Sequence, residues 1–219
     1  MKQLDILIRA MTVRFYSIVL LNNKSDEKLK RLAVVGNCIL NQNARAPGIA
    51  VHKGVIIPLY EMLKKKGFDV LQLPCPETSF TGVRRWWFVY EQYDSVNYRR
   101  HCARLGQLST RLVEPYYAMG YEIVIIGLGI SPTCGVRMRQ ENNEWKGKPF
   151  DVGDRATVRE GQGVWIQELT KALDRKKISY RMTDVAPILL YAHERAPKAK
   201  DYPKSEEEAW AELDQFLES

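Results

Sequence analysis

The chain has 219 residues, 45% of them hydrophobic and 27% charged, with a formal net charge of +7; this suits one globular domain with extensions, or at most two small ones, and excludes a disordered or low-complexity chain. Four cysteines, Cys38, Cys75, Cys102 and Cys134, are too few and too scattered for a disulfide scaffold. No run approaches the ~20 apolar residues of a membrane-spanning helix, and the arginines at 84, 85, 99, 100 and 104 are balanced by an acidic "SEEEAWAELD" near the end, so the charge reads as a mixed solvated surface that permits an anionic partner without requiring one.

Residues 1–30 read as an N-terminal extension whose apolar side chains pack on the body or on a partner. Its uncharged stretch, 15–21, is short for a signal peptide, no small-x-small cleavage site follows, and Met11 offers an alternative start. The expected home is the cytoplasm, where thiols stay reduced. The domain proper is expected over 31–219, with a core of about 31–184 and a closing helix at about 205–218.

Within it the pattern is strand, loop, helix, repeated. "RLAVVGNC" (31–38) is a first strand ending in a turn. "GVIIPLYEMLKKKG" (54–67) is a helix with lysines and a glycine at its close. "DVLQLPC" (69–75) is a second strand stopped by prolines. An aromatic loop, "SFTGVRRWWFVYEQYD", precedes a helix over about 95–119. "YEIVIIGLG" (121–129) is the third and clearest strand. A glycine- and charge-rich loop, 136–163, leads to a helix carrying Trp165, Leu169 and Leu173 on one face. "ISYRMTD" (178–184) is a fourth strand. Ser205 and Glu208 form a capping box for a last helix with Trp210, Leu213 and Leu217 on one stripe. This alternation predicts an α/β fold, an open, mainly parallel, Rossmann-like sheet with helices on both faces. Ligands of such folds bind outside the carboxyl ends of the strands.

That edge is where three cysteines fall. Cys38 closes the first strand, Cys75 the second, and Cys134 follows the third in "GISPTCG"; Cys102 lies mid-helix and reads as a packed side chain. The spacings, 37 and 59 residues, are not those of a zinc finger, and the absence of C-x-x-C excludes a thioredoxin-type dithiol. On spacing alone, three unrelated core thiols are an equal alternative. The contexts "NCILN", "PCPE" and "SPTCG" weigh against it, because they set each cysteine beside Pro, Gly or Asn in a turn. Thiolates hold iron–sulfur clusters, and three ligands leave a metal position open.

"NCILNQNARAPG", "CPET" and "GISPTCG" together resemble the three cysteine motifs of the thiouracil desulfurase family, which look like C-L-L-G-x-x-V-R-Y-D-G, C-P-E and S-P-S-C-G. Cys38, Arg45 and Gly48 align with the first motif without a gap. The resemblance covers about 31–184 and implies a [4Fe-4S] cluster on Cys38, Cys75 and Cys134 with one iron free of protein ligands. It implies a non-redox desulfuration in which a thiolated pyrimidine or nucleoside loses sulfur as sulfide, with catalytic roles for Glu77 and Ser131. A thiocarbonyl sulfur is soft and suits an open iron; water attacking the carbon needs a base, which a carboxylate two residues after a ligand can supply. Capping roles in their turns are the plainer alternative for both residues.

Arg45, Arg84 and Trp86 are the candidate substrate-binding residues, guanidinium and indole planes being able to stack a base; a loop anchored by core tryptophans is the competing reading of "GVRRWWFVY". The chain departs from the family at Ala46-Pro47, where Tyr-Asp is expected, and at Asn41, where a glycine is. The extra domain of RNA-acting members is not evident, which favours free base or nucleoside over tRNA. The glycines of "EGQGVW" (160–165) read as a hinge before a helix rather than as an anion site. Two other functions stay open: a non-catalytic iron–sulfur- or zinc-stabilised nucleic-acid-binding module, and an iron–sulfur electron-transfer protein.

Overall fold

The computed structural model describes residues 30–144, 157–191 and 201–219; the predicted N-terminal extension falls, apart from Lys30, outside them. Four strands form one parallel sheet in the order β2-β1-β3-β6: β1 (Arg31–Val35), β2 (Phe68–Gln72), β3 (Glu122–Leu128) and β6 (Arg181–Val185). All three pairings are parallel, with Arg31 opposite both Phe68 and Glu122. β1 is buried from Leu32 to its end and β3 from Ile123 to its end, nearly continuous burial as expected of central strands covered on both faces.

Helices α1 (Asn37–Leu40), α2 (Ile57–Lys65), α3 (Pro76–Thr81), α4 (Tyr90–Tyr93), α5 (Val96–Ala118), α6 (Val164–Arg175) and α7 (Glu206–Glu218) fill the connections. The chain steps from β1 to β2 in one direction and then crosses back past β1 to β3. Right-handed crossovers therefore put α2 on one face and α5 and α6 on the other. α7 joins α2, held by Lys66 to Asp214 at 2.9 Å and to Glu218 at 3.0 Å. α5 and α6 approach closely at Gly106, where a Cβ would stand 3.0 Å from the Glu168 carbonyl oxygen. The order reverses between β1 and β3, so the loops leaving these neighbours diverge to opposite faces and leave a crevice between them.

Four expectations shift in detail. Cys38 lies in the short helix α1 beyond the end of β1: Gly36 N–H makes a last ladder bond to Ile126 O at 3.0 Å, while its carbonyl already accepts from Ile39 N at 2.9 Å and starts the helix. The loop 136–163 contains an antiparallel pair, β4 (Met138–Glu141) with β5 (Thr157–Glu160). The aromatic stretch begins and ends as helix, α3 and α4, with an extended segment between. The last helix buries Ala209, Leu213 and Leu217, with Trp210 half-buried. Ser205 caps it by accepting from Glu208 N at 3.1 Å, while the Glu208 carboxylate reaches back to Lys204 N at 3.1 Å. Among the described residues no helix is long and apolar enough to cross a membrane.

Candidate active site

The crevice at the carboxyl edge opens into a cleft lined by Cys38, Cys75 and Cys134 together with Arg45, Glu77, Arg85, Trp87, Ser131 and Tyr191. Each cysteine is buried and none is in a disulfide. Cys38 comes from α1, after β1. Cys75 is the N-cap of α3, after β2: its Sγ accepts from Thr78 N at 3.3 Å, and Pro76 takes the first helical position, where a missing N–H costs nothing.

Cys134 comes from the turn after β3, and that turn is held on every side. Leu128 N bonds Cys134 O at 2.9 Å, folding the turn back over the strand. Gly127 makes this approach feasible, since a Cβ there would sit 2.3 Å from Cys134 O. The first N–H groups of α6 are spent on the same turn: Val164 N on Pro132 O at 3.1 Å and Trp165 N on Thr133 O at 3.0 Å. The "EGQGVW" segment thus anchors the turn instead of presenting free N–H groups. Ile130, just before it, has φ 59°, a strained conformation for a β-branched residue. Asp184, at the end of β6, accepts from Val136 N at 2.7 Å, Arg137 N at 2.8 Å and Tyr202 Oη at 2.7 Å. Its burial raises the carboxyl pKa against these three donors and the nearby Arg137.

The Cys38 and Cys75 thiols act on each other, and their pKa values are driven apart. Cys75 is the lower, at about 6, first through Cys38 and then, against its burial, through Thr78. Cys38 is raised by Cys75 and by burial. Cys134 is raised by burial and by Glu77.

Glu77 is in the first turn of α3. Its Oε2 accepts from Arg85 Nε at 2.7 Å and its Oε1 from Thr133 Oγ1; burial and the carboxylate together push the pKa of the nearby Tyr93 hydroxyl up. Burial opposes the Arg85 charge, but Glu77 more than offsets this and the guanidinium pKa is raised. Arg85 Nη2 also donates to Ala44 O at 2.8 Å, tying the first cysteine loop to α3. A carboxylate has about four acceptor positions; Arg85 and Thr133 take two, which leaves acceptor capacity for a proton from the cleft. Ser131 is turned inward on its own loop, accepting from Thr133 N at 3.3 Å and Cys134 N at 3.0 Å.

One wall is aromatic. Trp87 stacks on Tyr191 with centroids 5.6 Å apart and planes 18° from parallel. The Arg45 guanidinium lies 4.7 Å from the Tyr191 ring centre and bonds Leu190 O. Of the three residues singled out for substrate contact, Arg45 lines the cleft; Arg84 and Trp86 are exposed outside it. Their neighbours Arg85 and Trp87 line the cleft, as does Phe88. Trp87 is fixed there by Nε1 donating to Gln140 Oε1 at 3.0 Å. Tyr191, Tyr93 and Thr133 complete the site, and nothing in their sequence spacing marks them out. Cys102 is fully buried in α5, away from the cleft, with its pKa pushed up by burial to about 12.

Among the described residues, no three or more His, Cys, Asp or Glu side chains close around the position of a single metal ion. The donor chemistry nevertheless suits an iron–sulfur group: three buried, unpaired thiols face one cleft, and one is already poised as thiolate near neutral pH.

No family model matches the sequence. Among curated proteins it is similar to the uncharacterized protein MJ0003 of Methanocaldococcus jannaschii, 34% identical over 109 residues, which span 50% of this chain and 70% of that protein. Among solved structures it is similar to a [4Fe-4S]-dependent thiouracil desulfidase, 21% identical, over 72% of this chain and 93% of the other, with a TM-score of 0.44.

Proposed function

For this chain, which belongs to the family of the uncharacterized Methanocaldococcus jannaschii protein, we propose an iron–sulfur-dependent desulfurase that removes sulfur as sulfide from a thiolated nucleobase or related thioamide. The observation that carries the reading is the arrival of three thiols from three separate strand-end loops at one cleft, with Glu77 and an aromatic wall beside them. The cysteine motifs and their order add to it. Cys38, Cys75 and Cys134 would hold a [4Fe-4S] cluster, which when bound supplies a soft Lewis-acidic iron able to polarise a thiocarbonyl through its sulfur.

The chain's own residues do the rest. Trp87, backed by Tyr191 and Arg45, stacks the planar ring and sets its sulfur toward the cysteines. Glu77 offers a remaining acceptor position to the water that attacks the thiocarbonyl carbon and takes its proton. Arg85 and Thr133 keep that carboxylate from turning away. The net change exchanges C=S for C=O: water supplies the oxygen, sulfur leaves as sulfide, and no electrons are transferred. Ala46, in place of the bulkier residue of the resembling motif, widens the cleft beside Arg45. The reading places the protein where thiols remain reduced, the cytoplasm.

The test is loss of sulfur from 2- and 4-thiouracil by protein loaded anaerobically with iron and sulfide, wild type against Glu77→Ala. The reading expects sulfide release and uracil from wild type, and a fall of at least about 100-fold in Glu77→Ala with iron content unchanged. Equal activity in both, or redox cycling of the iron during turnover, would contradict it.

A further inference from the structure

We propose that Thr133 is a positioning residue that locks Glu77 to the turn carrying Cys134, an inference that rests on the desulfurase reading of the cleft. Thr133 is fully buried. Its Oγ1 donates to Glu77 Oε1, lies 3.3 Å from Ser131 Oγ and stands 3.5 Å from Cys134 Sγ. One hydroxyl thus touches the carboxylate, the serine and the third cysteine, bridging segments 56 residues apart.

The direction of the bonds follows from counting protons. A threonine hydroxyl has one, and a carboxylate facing it can only accept. The Thr133 proton is therefore committed to Glu77, and in the contact between the two hydroxyls Ser131 must be the donor. Ser131 Oγ in turn accepts from Thr133 N and Cys134 N. The chain runs one way, from the backbone N–H of Cys134 through Ser131 and Thr133 to Glu77. Both hydroxyl protons are spent inside the protein, so Ser131 acts by holding the turn and not by donating to substrate.

Thr133 has no freedom to give. Its carbonyl accepts from Trp165 N at 3.0 Å and Ile166 N at 3.2 Å, and a Cβ at Gly163 would be 2.4 Å from its carbonyl carbon. With the backbone fixed by α6, the side chain sets the distance between Glu77 and Cys134. A carboxylate displaced by about 1 Å loses on the order of 100-fold in rate.

The experiment compares Thr133→Val, which keeps the shape without the hydroxyl, with Thr133→Ser, which keeps the hydroxyl. Expected are a kcat about 30- to 100-fold lower for Thr133→Val with KM within about 2-fold, and recovery of most of the rate in Thr133→Ser. Independently of activity, cluster-free Thr133→Val, Glu77→Ala and the double variant are melted; their losses in melting temperature should be clearly less than additive. A Thr133→Val enzyme with wild-type kcat, or strictly additive melting losses, would overturn the proposal. Loaded wild-type protein inactive on every thioamide would overturn the desulfurase reading alone, and the clamp would then stand or fall on the melting cycle.

Discussion

Arg85 Nε donates to Glu77 Oε2 at 2.7 Å, with the arginine side chain 3% and the glutamate 15% exposed. Neither is a surface charge, so removing one strands the other in the interior. Arg85→Met should cost about 3 kcal/mol of stability by urea denaturation, more than a surface arginine such as Arg84, whose replacement should cost under about 0.5 kcal/mol. Equal costs would mean that Arg85 is not the buried anchor.

Trp87 is the half-buried, outer member of a stack whose inner member is Tyr191. If its ring carries the substrate, Trp87→Leu should raise KM by about 10-fold or more, since base–aromatic stacking is worth ~1–3 kcal/mol, with a smaller effect on kcat. Trp86→Leu, outside the cleft, should do neither. Steady-state kinetics with both variants separates the neighbours.

In cluster-free protein the four thiols should differ in reactivity. Thiolate is the nucleophile, and the Cys75 pKa of about 6 predicts that its alkylation by iodoacetamide rises through pH 6 and levels off by about pH 7. Cys102, pushed up to about 12 and fully buried, should stay unmodified until the chain unfolds. Peptide mapping by mass spectrometry after timed labelling reads both; a Cys102 as fast as Cys75 would contradict the burial argument.

Asp184 touches no part of the cleft, yet it receives the two backbone N–H groups that follow the Cys134 turn. An amide there has one acceptor and turns two donors toward donors. Asp184→Asn should therefore destabilise by about 1–3 kcal/mol and lose iron faster than wild type under a chelator. Unchanged iron retention would show that the turn holds without it.

The sheet was legible because β1 and β3 are short apolar runs closed by turn residues, and its parallel character followed from the alternation with helices; the order of the strands did not. The three cysteines were legible for the same reason: each stands just past such a run. What the sequence hid was direction. "RRWW" does not say which arginine and which tryptophan face inward; only the docking of the extended segment between α3 and α4 decides for Arg85 and Trp87. Asp184 looked like the end of a strand, since its partners at 136 and 137 come from a different loop. Tyr191 and Thr133 gave no signal because their roles are contacts across the fold. The pair β4 and β5 was hidden by polar residues: both strands are short, and β5 is largely exposed.

The central claim is that Cys38, Cys75 and Cys134 form one cluster site and Cys102 does not. The most direct measurement is iron and sulfide content after anaerobic reconstitution, wild type against Cys38→Ala, Cys75→Ala, Cys134→Ala and Cys102→Ala. The account predicts about four irons per chain in wild type and Cys102→Ala, and strong loss in the other three. Zinc in place of iron, no metal at all, or equal loss in all four variants would contradict it.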